Sequence, residues 1–280
     1  MNKNISILAA VLIAASMFSC DKIEPPYRQG GVVTAERKVL LEDYTGSRCV
    51  NCPSAARIAH DLKQVYGENL IVLGIHTGFF AFPFPPQFPL DLRTPAGEAW
   101  DAAFKISTAG HPKGLVNRIN KDGIYYLGPG EWGTAVADAI SKKADATIEL
   151  EAGFTAGKTK ISISANGSFL RRMEGEFYLQ LCVVEDSIVG NQSNNDPTVG
   201  TTPLIENYVH RHVLRATVNG INGELVSDGD VVMTGNTFTK TYEIAVDGVW
   251  KTQHLSVVAW VFRGSDFEVL QAEEVHVKED

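Results

Sequence analysis

Leu40-Leu41-Glu42-Asp43-Tyr44-Thr45-Gly46-Ser47-Arg48-Cys49-Val50-Asn51-Cys52-Pro53 joins an apolar run to a helical pattern through two cysteines. Upstream, Val39 to Leu41 is apolar on consecutive positions, as in strands buried on both faces of a parallel sheet. Downstream, Ala55, Ile58, Ala59, Leu62, Val65 and Tyr66 recur at three- and four-residue spacing and paint one stripe of a helix. Pro53 is tolerated in a first helical turn, where its missing N–H is not needed. Gly67 stops the helix. Leu70 to Ile75 is a second apolar strand, so the unit is strand, helix, strand, with the cysteine pair at the strand-to-helix junction.

Thr77 to Arg93 mixes Phe79, Phe80, Phe82, Phe84 and Phe88 with Pro83, Pro85, Pro86 and Pro89, which suits neither a regular helix nor a central strand. So many aromatic side chains are expected to cover the cysteines or to pack into the core, with core packing favoured. Thr94 caps a short helix over 95–105, and Gly110-His111-Pro112-Lys113-Gly114 leads into a strand at 115–119. Lys121-Asp122-Gly123 is a turn, 124–127 a returning strand, and a last helix follows Gly130. This order of elements resembles that of thioredoxins and predicts an α/β thioredoxin-like domain over 36–145.

Two cysteines three apart at a helix start close a disulfide or open to a dithiol. Cys49 is expected in the first turn, its sulfur partly exposed and its thiolate favoured by free backbone N–H groups, the helix dipole and Arg48. Cys52, one turn inward, is expected to be more buried. A zinc site would need further ligands, and neither a second C-x-x-C nor a nearby H-x-x-x-H is present. A disulfide that only staples the scaffold stays open as the alternative reading.

The 280 residues carry a formal net charge of -8, against the basic face a nucleic-acid binder needs. Hydrophobic residues make up 44% of the chain, enough for a packed core. Four cysteines are too few for a disulfide-stapled scaffold of this length. Lys3 followed by the apolar run 5–18 is the layout of a secretory signal over 1–19, too short to span a bilayer. The run ends in Met17-Phe18-Ser19-Cys20, which resembles a bacterial lipobox; Cys20 would then carry palmitate-type acyl chains. Residues 20–35, with Pro25, Pro26, Gly30 and Gly31, read as a tether. Export places the cysteine pair in an oxidising compartment.

From Thr147 the pattern changes to period-two runs at 147–151, 160–164, 177–181, 241–246 and, in part, 254–262, separated by turn residues. These predict an all-β, immunoglobulin-like sandwich domain over 146–280. Cys182 lies in an apolar run and reads as a buried, inert thiol. His210 and His212 would share one strand face as polar strand residues, and Asn191 to Thr198 reads as a surface loop.

The layout as a whole resembles the outer membrane protein twenty-eight family. The lipoprotein signal, Leu41 to Gly46 leading to Cys49-Val50-Asn51-Cys52-Pro53, Arg93-Thr94-Pro95-Ala96-Gly97, Gly110 to Gly114 with Asn117-Arg118, and a C-terminal β domain carry the likeness. It implies an outer-membrane lipoprotein anchored through Cys20. Similarity to thioredoxins implies more. Asp43, six residues before Cys49, falls where they carry a buried acid that takes a proton from the second cysteine, with Glu42 as the alternative. Pro112 falls at their cis-proline, which would put His111 beside the sulfurs. The implied activity is thiol–disulfide exchange with protein thiols and disulfides, Cys49 attacking and Cys52 resolving, without metal or cofactor. Arg48 and Val50-Asn51 depart from the thioredoxin motif, so potential and direction do not transfer. The alternative is a non-enzymatic surface lipoprotein whose β domain binds a ligand.

Overall fold

The computed structural model describes residues 36–227 and 229–279, so the export signal, Cys20 and the tether lie outside the described residues. Strand β1 (Val39–Thr45) runs parallel to β2 (Leu70–His76), with the Cys52–Tyr66 helix between them. After a 3-10 turn at Phe79–Ala81 come the Pro95–Phe104 helix, a short Ile106–Ala109 helix, β3 (Lys113–Val116) antiparallel to β1, and the Pro129–Ile140 helix. Thr94 caps the second helix by accepting the Gly97 amide at 3.0 Å. The strand expected at 124–127 is not formed; only single bridges, Lys121 to Ile124 and Gly114 to Leu127, close that turn. The described residues beyond Lys143 hold strands and 3-10 turns but no α-helix. They form β4 (Ala146–Phe154), β5 (Lys160–Phe169), β6 (Met173–Glu174), β7 (Phe177–Glu185), β8 (Ile188–Ser193), β9 (Leu204–His210), β10 (Val213–Thr217), β11 (Glu224–Leu225), β12 (Val231–Val232), β13 (Thr237–Ala245), β14 (Leu255–Arg263) and β15 (Val269–His276).

The strands do not segregate at the boundary expected near residues 145 and 146. One sheet runs in the order β15-β14-β7-β10-β2-β1-β3, and the described residues form one compact unit. The join is between β2 and β10: the Gly74 amide donates to the His212 carbonyl at 2.8 Å, and Gly74 pairs with Val213. A Cβ at Gly74 would come within 3.0 Å of the Arg211 carbonyl oxygen, so glycine lets the C-terminal half dock here.

Burial of both faces explains the continuous apolar runs. On one face of the shared sheet Leu179, Leu181, Val183, Val257, Ala259 and Val261 pack against the β13-β5-β4 sheet. On the other, Cys182, Val184, Val258 and Trp260 share a core with Leu40, Ile71, Leu73, Trp100 and Phe104. Cys182 is a buried free thiol. A third core lies under the Cys52–Tyr66 and Pro129–Ile140 helices, around Leu41, Val72, Trp132 and Val136. Each fully buried aliphatic side chain contributes about 1.5–3 kcal/mol, so the shared sheet welds the halves together.

The Phe/Pro segment departs from the favoured expectation. Only Phe88 is buried; Phe79, Phe80, Phe82 and Phe84 are exposed. The Arg48 guanidinium lies 4.6 Å from the Phe79 ring centre and that of Arg93 lies 3.8 Å from Phe82, so cation–π stacking rather than core packing holds two of these rings.

Candidate functional site

Cys49 and Cys52 form a disulfide. Cys49 lies in the turn before the helix, not within it; the helix begins at Cys52 with Pro53 next. The expected asymmetry of exposure is absent, because both cysteines are 2% exposed. Two segments cover them. Gly46 lets the Phe79–Ala81 turn approach, since a Cβ there would lie 2.6 Å from the Phe80 carbonyl carbon. The Arg48 amide then donates to the Phe80 carbonyl at 3.0 Å, and the Arg48 guanidinium donates to the Phe79 carbonyl. Arg48 thus engages the aromatic segment.

The second cover is the hairpin of β8 and β9 with its connecting loop. Buried Gln192 donates its side-chain amide to the carbonyls of Gly46 at 3.2 Å and Cys49 at 2.9 Å. The Ser193 amide donates to Ser47 at 2.8 Å and the Asn195 amide to Val50 at 3.1 Å. Asn195 also bonds Asn51 at 2.7 Å, and Ser54 donates to Asp196 at 2.9 Å. The stretch from Asn191 to Thr198, expected to be a surface loop, begins in β8 and is strapped across the cysteine turn, while Asn195, Pro197 and Thr198 stay exposed.

Behind the disulfide is a cavity of about 290 Å³ lined by Asp43, Cys52, His76, Tyr208 and His210, among others. Strand alternation separates the two acids of β1. Glu42 points into the other core, where Arg118 donates to both its carboxylate oxygens at 2.8 and 2.7 Å, so it is engaged there. Asp43 faces the cavity, and its buried Oδ1 has no hydrogen-bond partner. Burial pushes its carboxyl up to about 7. Burial also pushes the Tyr208 hydroxyl up to about 12, with the nearby Asp43 charge adding to it.

The His111–Pro112 bond is cis. Neither residue lines this cavity; the His111 ring meets Phe80 edge-on at 6.1 Å. Burial lowers the His111 pKa, against the Asp101 charge. His210 and His212 do not share a strand face: β9 ends at His210, and His212 has a positive φ of 53°. His210 meets His76 instead, their rings 5.2 Å apart. Sequence reading missed His76 and Gln192. His76 had one local signal, a polar residue closing an apolar parallel strand at its carboxyl end, where α/β sheets place sites. Gln192 had none, because its role depends on where the hairpin lands. Among the described residues no three His, Cys, Asp or Glu side chains converge to hold a metal ion.

Residues 98–280 match the family model described as Outer membrane protein Omp28. The chain belongs to this family. As an Omp28 family member it is an outer-membrane protein. The match begins beyond Cys49 and Cys52, so membership by itself assigns them no role. Among solved structures, HBP35 of Porphyromonas gingivalis is 18% identical, with 86% of this chain and 76% of that one covered at a TM-score of 0.61. A protein of Agrobacterium tumefaciens is 11% identical, covering 88% and 97% at 0.53. Both likenesses are of fold alone. A domain of the outer membrane lipoprotein Omp28 from Porphyromonas gingivalis is 22% identical over 49% of this chain and 91% of that one, at a TM-score of 0.34. No curated protein matches the sequence.

Proposed function

We propose that this Omp28 family protein is a thiol–disulfide oxidoreductase, held to the outer membrane by acyl chains on Cys20. Its β1-helix-β2-β3 part is read as a thioredoxin-like half and the β4–β5–β13 sheet packed on the large sheet as a sandwich-like half. Cys49 attacks a substrate disulfide, Cys52 resolves the mixed disulfide, and Asp43 takes the Cys52 proton. One observation carries the reading: a buried carboxyl whose Oδ1 has no hydrogen-bond partner borders the same cavity as Cys52 of a helix-start disulfide. A disulfide that only staples the fold has no use for such a group, whose burial costs stability. Exchange with a protein partner requires the β8–β9 hairpin to move off Cys49.

The complete burial of Cys49 favours the second reading, a non-enzymatic binding lipoprotein with a structural disulfide. A redox titration of the pair in the soluble domain separates the two. A potential between about −120 and −270 mV, the span of known exchangers, is expected. A value below about −300 mV marks a structural bond and overturns the enzymatic reading. For the anchor, cells fed labelled palmitate should label the wild type and leave Cys20→Ala unlabelled. Equal labelling of both removes the anchor from the proposal.

A further inference from the structure

Three buried polar side chains face the cavity behind the disulfide with atoms that no protein group satisfies. They are Asp43 through Oδ1, His76 through both ring nitrogens and His210 through Nε2. Buried polar atoms are nearly always paired, so a cluster of unpaired ones in one cavity asks for an explanation. Their side chains come from different elements: Asp43 from β1, His76 from the end of β2 and His210 from the end of β9. The two rings meet edge-on at 5.2 Å, and Tyr208 packs on His210 at 4.9 Å. The cavity is large enough for several water molecules and polar enough to hold them. It leads from this buried floor to an exposed rim of Arg57, His60, Val209 and Arg211.

We infer that His76 and His210 relay to solvent, through this hydrated cavity, the proton that Asp43 takes from Cys52. The inference rests on the oxidoreductase reading above and adds two positioning residues to it. In the resolving step the Cys52 S–H bond breaks and its proton goes to the Asp43 carboxylate. The Cys52 thiolate attacks the Cys49 sulfur of the mixed disulfide. The Cys49–Cys52 bond forms as the bond to substrate breaks, and the substrate leaves as a thiolate that takes a proton from water. The cysteine pair is oxidised and the substrate reduced, with no other redox partner. Asp43 must then lose its proton before the next cycle, and the cavity it borders reaches the exposed rim.

The electrostatic surroundings suit a relay. Burial lowers His210 to about 4 and holds His76 well below its usual value, with the Arg215 charge adding to the effect on His76. Both rings therefore stay neutral at working pH, and a neutral imidazole accepts at one nitrogen while donating at the other. The other titratable or charged groups around the cavity are Cys52, Arg57 and His60 on the helix, Tyr208 on β9, and Arg211 and His212 after it.

The test separates attack from release. Reduced protein is mixed with oxidised glutathione and quenched, and the mixed disulfide and its release are followed from pH 5 to 9. In His76→Gln and His210→Gln, attack is expected to be unchanged. Release should slow at least tenfold at pH 7, with its inflection near 7 displaced. In His210→Ala, added imidazole should restore release. Normal attack with unchanged release and pH profile in both glutamine variants overturns the relay. A wild type that forms no mixed disulfide removes the oxidoreductase reading and the relay with it. One measurement needs no variant: in the oxidised wild type, the ring NMR signals of His76 and His210 should shift with Asp43 as it titrates near pH 7. Signals flat through that range also overturn the inference.

Discussion

Cys49→Ser is expected to abolish the proposed thiol–disulfide exchange, whereas Cys52→Ser should still attack and accumulate mixed disulfides. In the proposed exchange, attack at Cys49 would leave Cys52 as the resolving thiol, so removing Cys52 would strand the substrate on the protein. Non-reducing gels of cells expressing Cys52→Ser should show partner adducts that vanish in the double mutant. Adduct patterns identical in wild type and both single mutants would leave the binding-lipoprotein reading in place. The cover over Cys49 refines this expectation. Gln192 donates to two carbonyls of the cysteine turn. Losing a hydrogen bond of this kind costs about 0.5–1.5 kcal/mol. Gln192→Ala should therefore open the hairpin roughly 5- to 30-fold more often, for a total of about 1–2 kcal/mol. Trapping by Cys52→Ser should accelerate in that background. No acceleration would mean that the hairpin does not limit access.

Arg118→Leu should strongly destabilise the shared core. Glu42 is fully buried, and Arg118 holds both its oxygens while lying 5.1 Å from the Trp100 ring centre and 5.0 Å from that of Phe104. Removing the arginine leaves a carboxylate in an apolar core without its counter-ion. Breaking a buried pair from one side costs about 3–5 kcal/mol. For a unit of this size that lowers Tm by roughly 6–20 °C. Glu42→Gln combined with Arg118→Met should recover much of the loss, because the isolated charge is then gone. Urea unfolding of the single and double variants measures this. A single-variant loss below about 1 kcal/mol would show that Glu42 is satisfied without the arginine.

Local chemistry was legible from the residues alone. The apolar run to Leu41, the stripe from Ala55 to Tyr66 and the apolar strand to Ile75 specify strand, helix and strand, because each repeats at the period of its own element. Thr94 before Pro95 specifies a helix start, since its side chain and the Gly97 amide meet within one turn. The C-x-x-C spacing suffices for a disulfide, whose partners lie three residues apart.

Tertiary structure decided everything that depends on which strand meets which. The β7 and β14 runs read as strands, but their sequences do not specify that β10 would join them to β2. That choice follows from Gly74 admitting the Arg211–Val213 backbone and from burial on both faces. The same docking carries His210 to His76 and lays Gln192 over Cys49, contacts between residues far apart in sequence. Periodicity reports which face of an element is apolar, and long-range pairing leaves no mark at that scale. For this reason the cysteines were legible, while their burial and the histidine-lined cavity behind them emerged only when the two halves closed on a common sheet.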